Sequence, residues 1–196
     1  MPPAVRNGLG LSADEDATIA AIFATYNRGN GLNLIALSAV LDSGDPAAAF
    51  ALSLEAVPTH EAASELPALL SLDELPPHVG TLILELNAMG TAGSAAPIVA
   101  SLYRHLGYWP SYLALAWAQL GPLDASGRLA AAIDDVRSAG EAEAGRIASH
   151  RGAAPSTIDS EDIEFARKAI RYFRDTAICR MVTIGLVLTR SFADSS

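Results

Sequence analysis

One cysteine, Cys179, is all that the 196-residue chain contains, so no disulfide can close within it and neither a CxxC redox pair nor a cysteine zinc site exists. That excludes the helical peroxidase-type folds that depend on a thiol pair. Cys179 lies in the apolar stretch Ile178 to Leu188, where a small buried hydrophobe is the expected role. Basic residues are also scarce: 13 Lys and Arg stand against 22 Asp and Glu, for a formal charge of -9, the wrong sign for gripping a phosphate backbone. Nucleic acid is not an expected partner. Long hydrophobic runs are absent; Leu113–Ala118 and Met181–Leu188 fall well short of the ~20 residues needed to cross a bilayer. No membrane association is expected, and the start Met1-Pro2-Pro3-Ala4-Val5-Arg6 lacks the apolar core of a secretory signal, so the expected location is cytoplasmic. GxGxxG, P-loop, HExxH and GxSxG motifs are missing, and His60, His78, His105 and His150 are scattered without ligand spacing. The sequence therefore predicts no cofactor and no metal.

What the chain does have is apolar substance. Hydrophobic residues make up 51% of it and the mean hydropathy is +0.27, which rules out global disorder. At this length roughly 70% of the unfolded surface can be buried. Strand-like alternation is absent and helical spacing is frequent, so the fold class is all-α. One helical domain is expected over 1–196, with an N-terminal helix pair at 1–45, a connector at 46–75 carrying one or two short helices, and a main helical repeat at 76–196.

Ser12-Ala13-Asp14-Glu15 matches a capping box and opens a helix to about Tyr26. Asn27-Arg28-Gly29-Asn30-Gly31 reads as a break, with Asn30 capping the next helix through Leu41. Further helices are expected over Val79–Met89, from Pro97 to Leu106, from Trp109-Pro110 to an interruption at Gly121-Pro122, and from Leu123 to His150. A final pair begins at Asp159, the second member being the apolar stretch Ile178 to Thr189. Placing Ser12–Leu41 over Asp159–Leu188 pairs Tyr26 with Phe173, Leu34 with Met181, Ile35 with Val182 and Leu41 with Leu188. This weak internal repeat predicts two related helix pairs about a pseudo-twofold axis.

Three clusters could carry chemistry, each with a plainer structural reading. Arg167, Lys168, Arg171, Arg174 and Arg180 gather basic charge; they fit a solvated face, or one of them, Arg171 or Arg174, neutralises a carboxylate. The amides of Tyr26-Asn27-Arg28-Gly29-Asn30 fit an ordinary turn or an anion and water site. Ser101-Leu102-Tyr103 and Tyr108-Trp109-Pro110-Ser111-Tyr112 fit core packing or a small apolar pocket with polar handles.

Taken together, Tyr26–Asn30 with the apolar run after it, and Val99–Pro110 leading into Tyr112–Trp117, resemble the group I 2-haloacid dehalogenases of the DehI type. The chain is similar to the end of that family's first repeat plus its whole second repeat. The resemblance implies cofactor-independent hydrolysis of a 2-halocarboxylic acid to the 2-hydroxy acid, with water attacking directly and inverting the carbon. It implies that Asn30 orients the water and that Ala100, Ser101 and Tyr172 or Phe173 shape the substrate pocket, with Leu102 beside them; Arg174, like Arg171, is a candidate for the substrate carboxylate on its charge and not on the resemblance. Leu102 occupies the position of the family's catalytic aspartate, and leucine can neither accept a proton nor hold a water. Either a carboxylate from elsewhere serves, for instance Glu85, or the pocket persists without this reaction. The expected partner is thus a small carboxylate substrate or ligand, and the apolar content makes a homodimer an expectation too. A hydrolase, a non-catalytic carboxylate-binding module and a helical assembly protein are the three functions the sequence leaves in play.

Overall fold

The computed structural model describes residues 1–42, 66–91, 93, 98–148 and 160–190. Helices are the regular structure of the described residues, with no strand among them. A short α1 (Pro3–Gly8) leads into α2 (Ala13–Asp42); after a 3-10 turn at Leu72–Glu74 come α3 (Pro77–Ala88), α4 (Ser101–Leu106), α5 (Pro110–Ala125) and α6 (Arg128–Ala148). The last rod runs from α7 (Ser160–Phe173) through a π turn at Arg174–Ile178 into α8 (Cys179–Arg190).

The capping box forms at the start of α2: Ser12 N–H donates to Glu15 Oε2 at 2.8 Å and Glu15 N–H to Ser12 Oγ at 3.2 Å. The helix does not break at Asn27–Gly31; it continues for 30 residues to Asp42. Two glycines in a helix cost about 2 kcal/mol in propensity. Tertiary burial on both sides of them, at Ile19, Ile22 and Phe23 and again at Leu34, Ala39 and Leu41, outweighs that penalty. The helix is held where other helices approach closely. A Cβ on Gly185 of α8 would lie 1.9 Å from Asn27 Oδ1, and one on Gly140 of α6 would lie 2.7 Å from Leu34 Cγ.

Three other sequence boundaries move. Pro122 lies inside α5, where its missing N–H removes one bond in the last turns; the chain leaves the helix only at Ser126-Gly127, Gly127 having φ +73°. The long amphipathic helix therefore starts at Arg128 rather than Leu123. The expected final helix pair is one rod, its two parts joined by the π turn. The helix expected from Pro97 begins at Ser101. Of the connector expected to carry one or two short helices, only 66–75 lies within the described residues, and it carries the 3-10 turn at Leu72–Glu74; the loop after His150 and Asp159 lie outside them, as do His60 and His150.

A single core cluster draws on α2 through α6, the π turn and α8, with Tyr103, Ile22, Ile83, Leu86, Leu106, Leu113, Ile184 and Leu188 almost fully enclosed. α2 is the axis of this packing, touching α4, α6, α7, the π turn and α8. No helix among the described residues is long and apolar enough to cross a membrane.

Candidate functional site: a cavity walled by α2, α4 and the π turn

A cavity of about 190 Å3 is lined by Tyr26 and Asn30 from α2, residues 98–102, Phe173, Ala177 and Ile178 of the π-turn region, and Arg180 and Met181 from α8. It admits a ligand of roughly six heavy atoms, at about 30 Å3 for a water-sized group. Asn30, Ala100, Ser101, Leu102 and Phe173 thus converge on one space from three separate stretches of chain. Tyr172 does not: it is exposed to solvent, while its neighbour Phe173 forms part of the wall.

Asn87 sets the shape of this wall. Buried at the end of α3, its Nδ2 donates to Ile98 O and its Oδ1 accepts from Ala100 N–H, both at 3.1 Å, which pins residues 98–100 over the cavity. Arg180 braces the opposite side. Its side chain is 3% exposed; Nη1 donates to the carbonyls of Asn87 and, at 3.5 Å, Met89, while Nη2 reaches Asn87 Oδ1 at 3.5 Å and Nε reaches Thr176 O at 3.4 Å. The Asn87 and Met89 carbonyls lie at the C-terminal end of α3, where the helix dipole presents partial negative charge. Among the described residues, no carboxylate forms an ion pair with Arg180. Burial pulls its pKa down from the usual guanidinium value, opposed by the nearby Tyr103 hydroxyl. A guanidinium stays protonated even so. Among the described residues, the buried positive charge of Arg180 is compensated by carbonyl dipoles alone.

Tyr26 brings a second polar feature. Its hydroxyl lies 2.8 Å from His105 Nδ1, and His105 Nε2 lies 3.0 Å from Pro67 O. The Pro67 carbonyl can only accept, so Nε2 carries the proton, Nδ1 is the acceptor and the phenol donates. Desolvation is the largest influence on both groups: it raises the Tyr26 pKa and lowers that of His105, keeping both neutral near pH 7. Arg104 and Tyr108 hold the same 66–71 segment in place, through Leu70 O at 2.6 Å and Ala68 O at 2.9 Å.

Arg174 lies elsewhere. With Arg171 it lines a larger polar cleft of about 360 Å3, together with Ser38, Leu41, Asp42 and Glu141. Its guanidinium is ion-paired to Glu141 at 2.9 Å and Asp175 at 2.7 Å, and bonds Ser38 Oγ at 3.5 Å. Those pairs raise its pKa against the opposing effect of burial. Glu85 is exposed on α3 and is not part of the cavity wall. Cys179 is buried, and burial pushes its thiol up to about 11. No group of His, Cys, Asp and Glu side chains able to hold a metal occurs among the described residues.

The sequence leaves Arg180 in a basic cluster that fits a solvated face or a carboxylate site, gives His105 no ligand spacing and does not mark Asn87. One signal was there to find: Arg180 is the single basic residue inside the otherwise apolar run from Ala177 to Leu188. A charge embedded in a core stretch must be buried and must find partners. The pairing of Tyr26 with His105, across 79 residues, has no sequence signature.

Fold and site together define an all-helical protein with a small, mainly apolar cavity bearing one buried cation. No family model matches the chain, and no curated protein or solved structure matches it significantly.

Proposed function

We propose that the cavity binds a small carboxylic acid as its anion, with Arg180 supplying the charge and the aromatic and aliphatic wall enclosing the hydrocarbon part. The observation that carries this reading is Arg180 itself: buried, without an ion-pair partner among the described residues, and lining a cavity large enough for about six heavy atoms. Its five N–H donors meet four acceptor contacts, which leaves capacity for a carboxylate oxygen.

Calorimetric titration with 2-chloropropionate and propionate, beside the neutral propionamide, tests it. Binding of the two acids and not of the amide is expected; equal binding of all three, or of none, contradicts it. Ala100→Leu fills the cavity from a backbone position that tolerates any side chain, with φ -62° and ψ 131°, and should abolish binding while the fold is retained.

A second reading, hydrolysis of a 2-halocarboxylic acid, draws support from the convergence of Asn30, Ala100, Ser101 and Phe173 on this cavity. Those are positions that the dehalogenase resemblance assigns to water orientation and to the pocket. Under this reading the two long helical segments, 13–42 and 160–190, are related halves about a pseudo-twofold axis. Chloride release from 2-chloropropionate is its test. The accompanying expectation of a homodimer is tested by light scattering of the eluted protein, and that of a cytoplasmic location by fractionation of the cells that make it.

A further inference from the structure

If water is to attack a substrate here, something must take its proton, and the described wall of the cavity offers no carboxylate for the task. Leu102, at the position where the resemblance implies a base, is an isobutyl group 1% exposed. Tyr26 lines the same cavity, and its hydroxyl is already engaged, at 2.8 Å, with a neutral imidazole whose free lone pair faces it. The far side of that imidazole is anchored through Nε2–H to Pro67 O, which fixes the tautomer and leaves Nδ1 as the only place a proton can go.

We infer that Tyr26 and His105 form a proton relay that serves the cavity as its general base, Tyr26 accepting a proton from the attacking water as it passes its own to His105 Nδ1. The inference rests on the hydrolytic reading above. In the step, the water oxygen forms a bond to the carbon bearing the halogen while the carbon–halogen bond breaks, its electron pair leaving with the halide. The water proton moves to the Tyr26 oxygen, the Tyr26 proton moves to Nδ1, and the resulting imidazolium keeps its Nε2–H bond to Pro67 O until it releases a proton to solvent. Tyr26 is the catalytic residue in this scheme; His105 acts through it and is a positioning and proton-storing residue. Asn30, on the same helix one turn further along and in the same wall, is placed to hold the water.

The groups that face His105 bear on its protonation. Tyr26 faces it from α2 with its ring centroid 5.7 Å away, Arg104 precedes it on α4, and the 66–71 segment presents carbonyls and no titratable side chain. Burial, with Arg104, disfavours the imidazolium against the Pro67 bond that favours it, so the base form persists to below the usual histidine range.

The experiment follows chloride release from 2-chloropropionate alongside propionate binding, for the native protein, Tyr26→Phe and His105→Asn. The expected result is turnover by the native protein and a ~10²- to 10⁴-fold loss of kcat/KM in each variant, with the propionate Kd unchanged. The native profile should fall on the acid side below pH ~6.5, and that limb should vanish in His105→Asn. Tyr26→Phe removes only an oxygen, and its melting temperature reports whether the fold is intact. Native turnover that Tyr26→Phe leaves unchanged overturns the relay. Tight propionate binding by a native protein that releases no chloride also overturns it, and leaves the binding reading standing. Failure to bind propionate at all removes both.

Discussion

Arg174 and Arg180 sit six positions apart on one helical rod, Arg174 opening the π turn and Arg180 lying in the first turn of α8, and the fold treats them in opposite ways. Both side chains are buried. Arg174 meets two carboxylates, Glu141 and Asp175, in a polar cleft. Arg180 meets carbonyls in a mainly apolar cavity and, among the described residues, no acid. The contrast teaches that basic residues clustered in a sequence are not equivalent ligands. The arginine whose charge is already matched ties α2, α6 and the π turn together, and the one whose charge is unmatched is the one with something left to offer an anion. Positions six apart on a helix of about 3.6 residues per turn face different sides of it, so a single rod delivers one cation to each of two pockets.

The largest effect is expected from Arg180→Met. The substitution preserves much of the apolar stem and deletes every donor, leaving the Asn87 and Met89 carbonyls without their charged partner. Urea denaturation should show a loss of about 3 kcal/mol, and the stabilisation by propionate should disappear. A variant as stable as the native protein would mean that the guanidinium contributes little to the wall, and would weaken the contrast directly.

Next comes Gly90→Ala, which disturbs the seat of Arg180 without touching its charge. Gly90 has φ +74°, and a Cβ there would come 2.8 Å from Ile133 Cδ1 and 3.4 Å from Arg180 Cδ and Cγ. The left-handed backbone and the contact together should cost about 2 kcal/mol in thermal or urea unfolding, with weaker propionate binding as the guanidinium is displaced.

Arg174→Met should be milder. Its partners Glu141 and Asp175 keep 49% and 28% of their side-chain surface exposed, so water can take over much of the solvation once the guanidinium is gone. A loss of about 1 kcal/mol is expected, together with an unchanged propionate affinity. An affinity that falls as far as in Arg180→Met would erase the distinction between the two sites.

The smallest effect concerns pH. The native state lowers the pKa of His105, chiefly by burial, relative to an ordinary value of 6.5. The folded protein therefore binds that proton less readily than the unfolded chain, and stability rises with pH through this region. The contribution is fully present above pH ~6.5 and is lost as pH falls through that value toward the lowered one. Melting temperatures recorded between pH 5 and 7.5 should slope upward, and His105→Asn should flatten that slope. An unchanged slope would mean that other groups carry it.

Much of the helical layout was legible in residue order because it depends on local signals. The Ser12–Glu15 capping box, the Trp109-Pro110 start and the spacing of apolar side chains on α2, α3 and α5 all act within a turn or two. Continuity was not legible. Asn27–Gly31 and Gly121-Pro122 look like stops, yet the helices run on, because tertiary packing decides and the sequence displays only propensity. The same glycines and prolines would end a helix that lacked the flanking contacts of Ile22, Phe23 and Leu34.

The candidate site divides along the same line. Asn30, Ala100, Ser101, Leu102 and Phe173 belong to stretches that the family resemblance marked, and one cavity wall contains them all. Arg180, Asn87 and the Tyr26–His105 pair depend on contacts between segments 79 to 93 residues apart, which spacing along the chain cannot reveal. Choosing between Arg171, Arg174 and Arg180 required knowing which carboxylates stand opposite each, and that is a property of the packed helices.

The most direct test of the difference between the two arginines is to observe their side chains during titration, using 15N-detected spectra of the guanidinium Nε–H groups as propionate is added. A shift of the Arg180 resonance that saturates with the calorimetric affinity, while the Arg174 resonance stays fixed in its pairs with Glu141 and Asp175, is the predicted result. Movement of Arg174 with Arg180 unperturbed would place the anion in the polar cleft and contradict the assignment of the cavity.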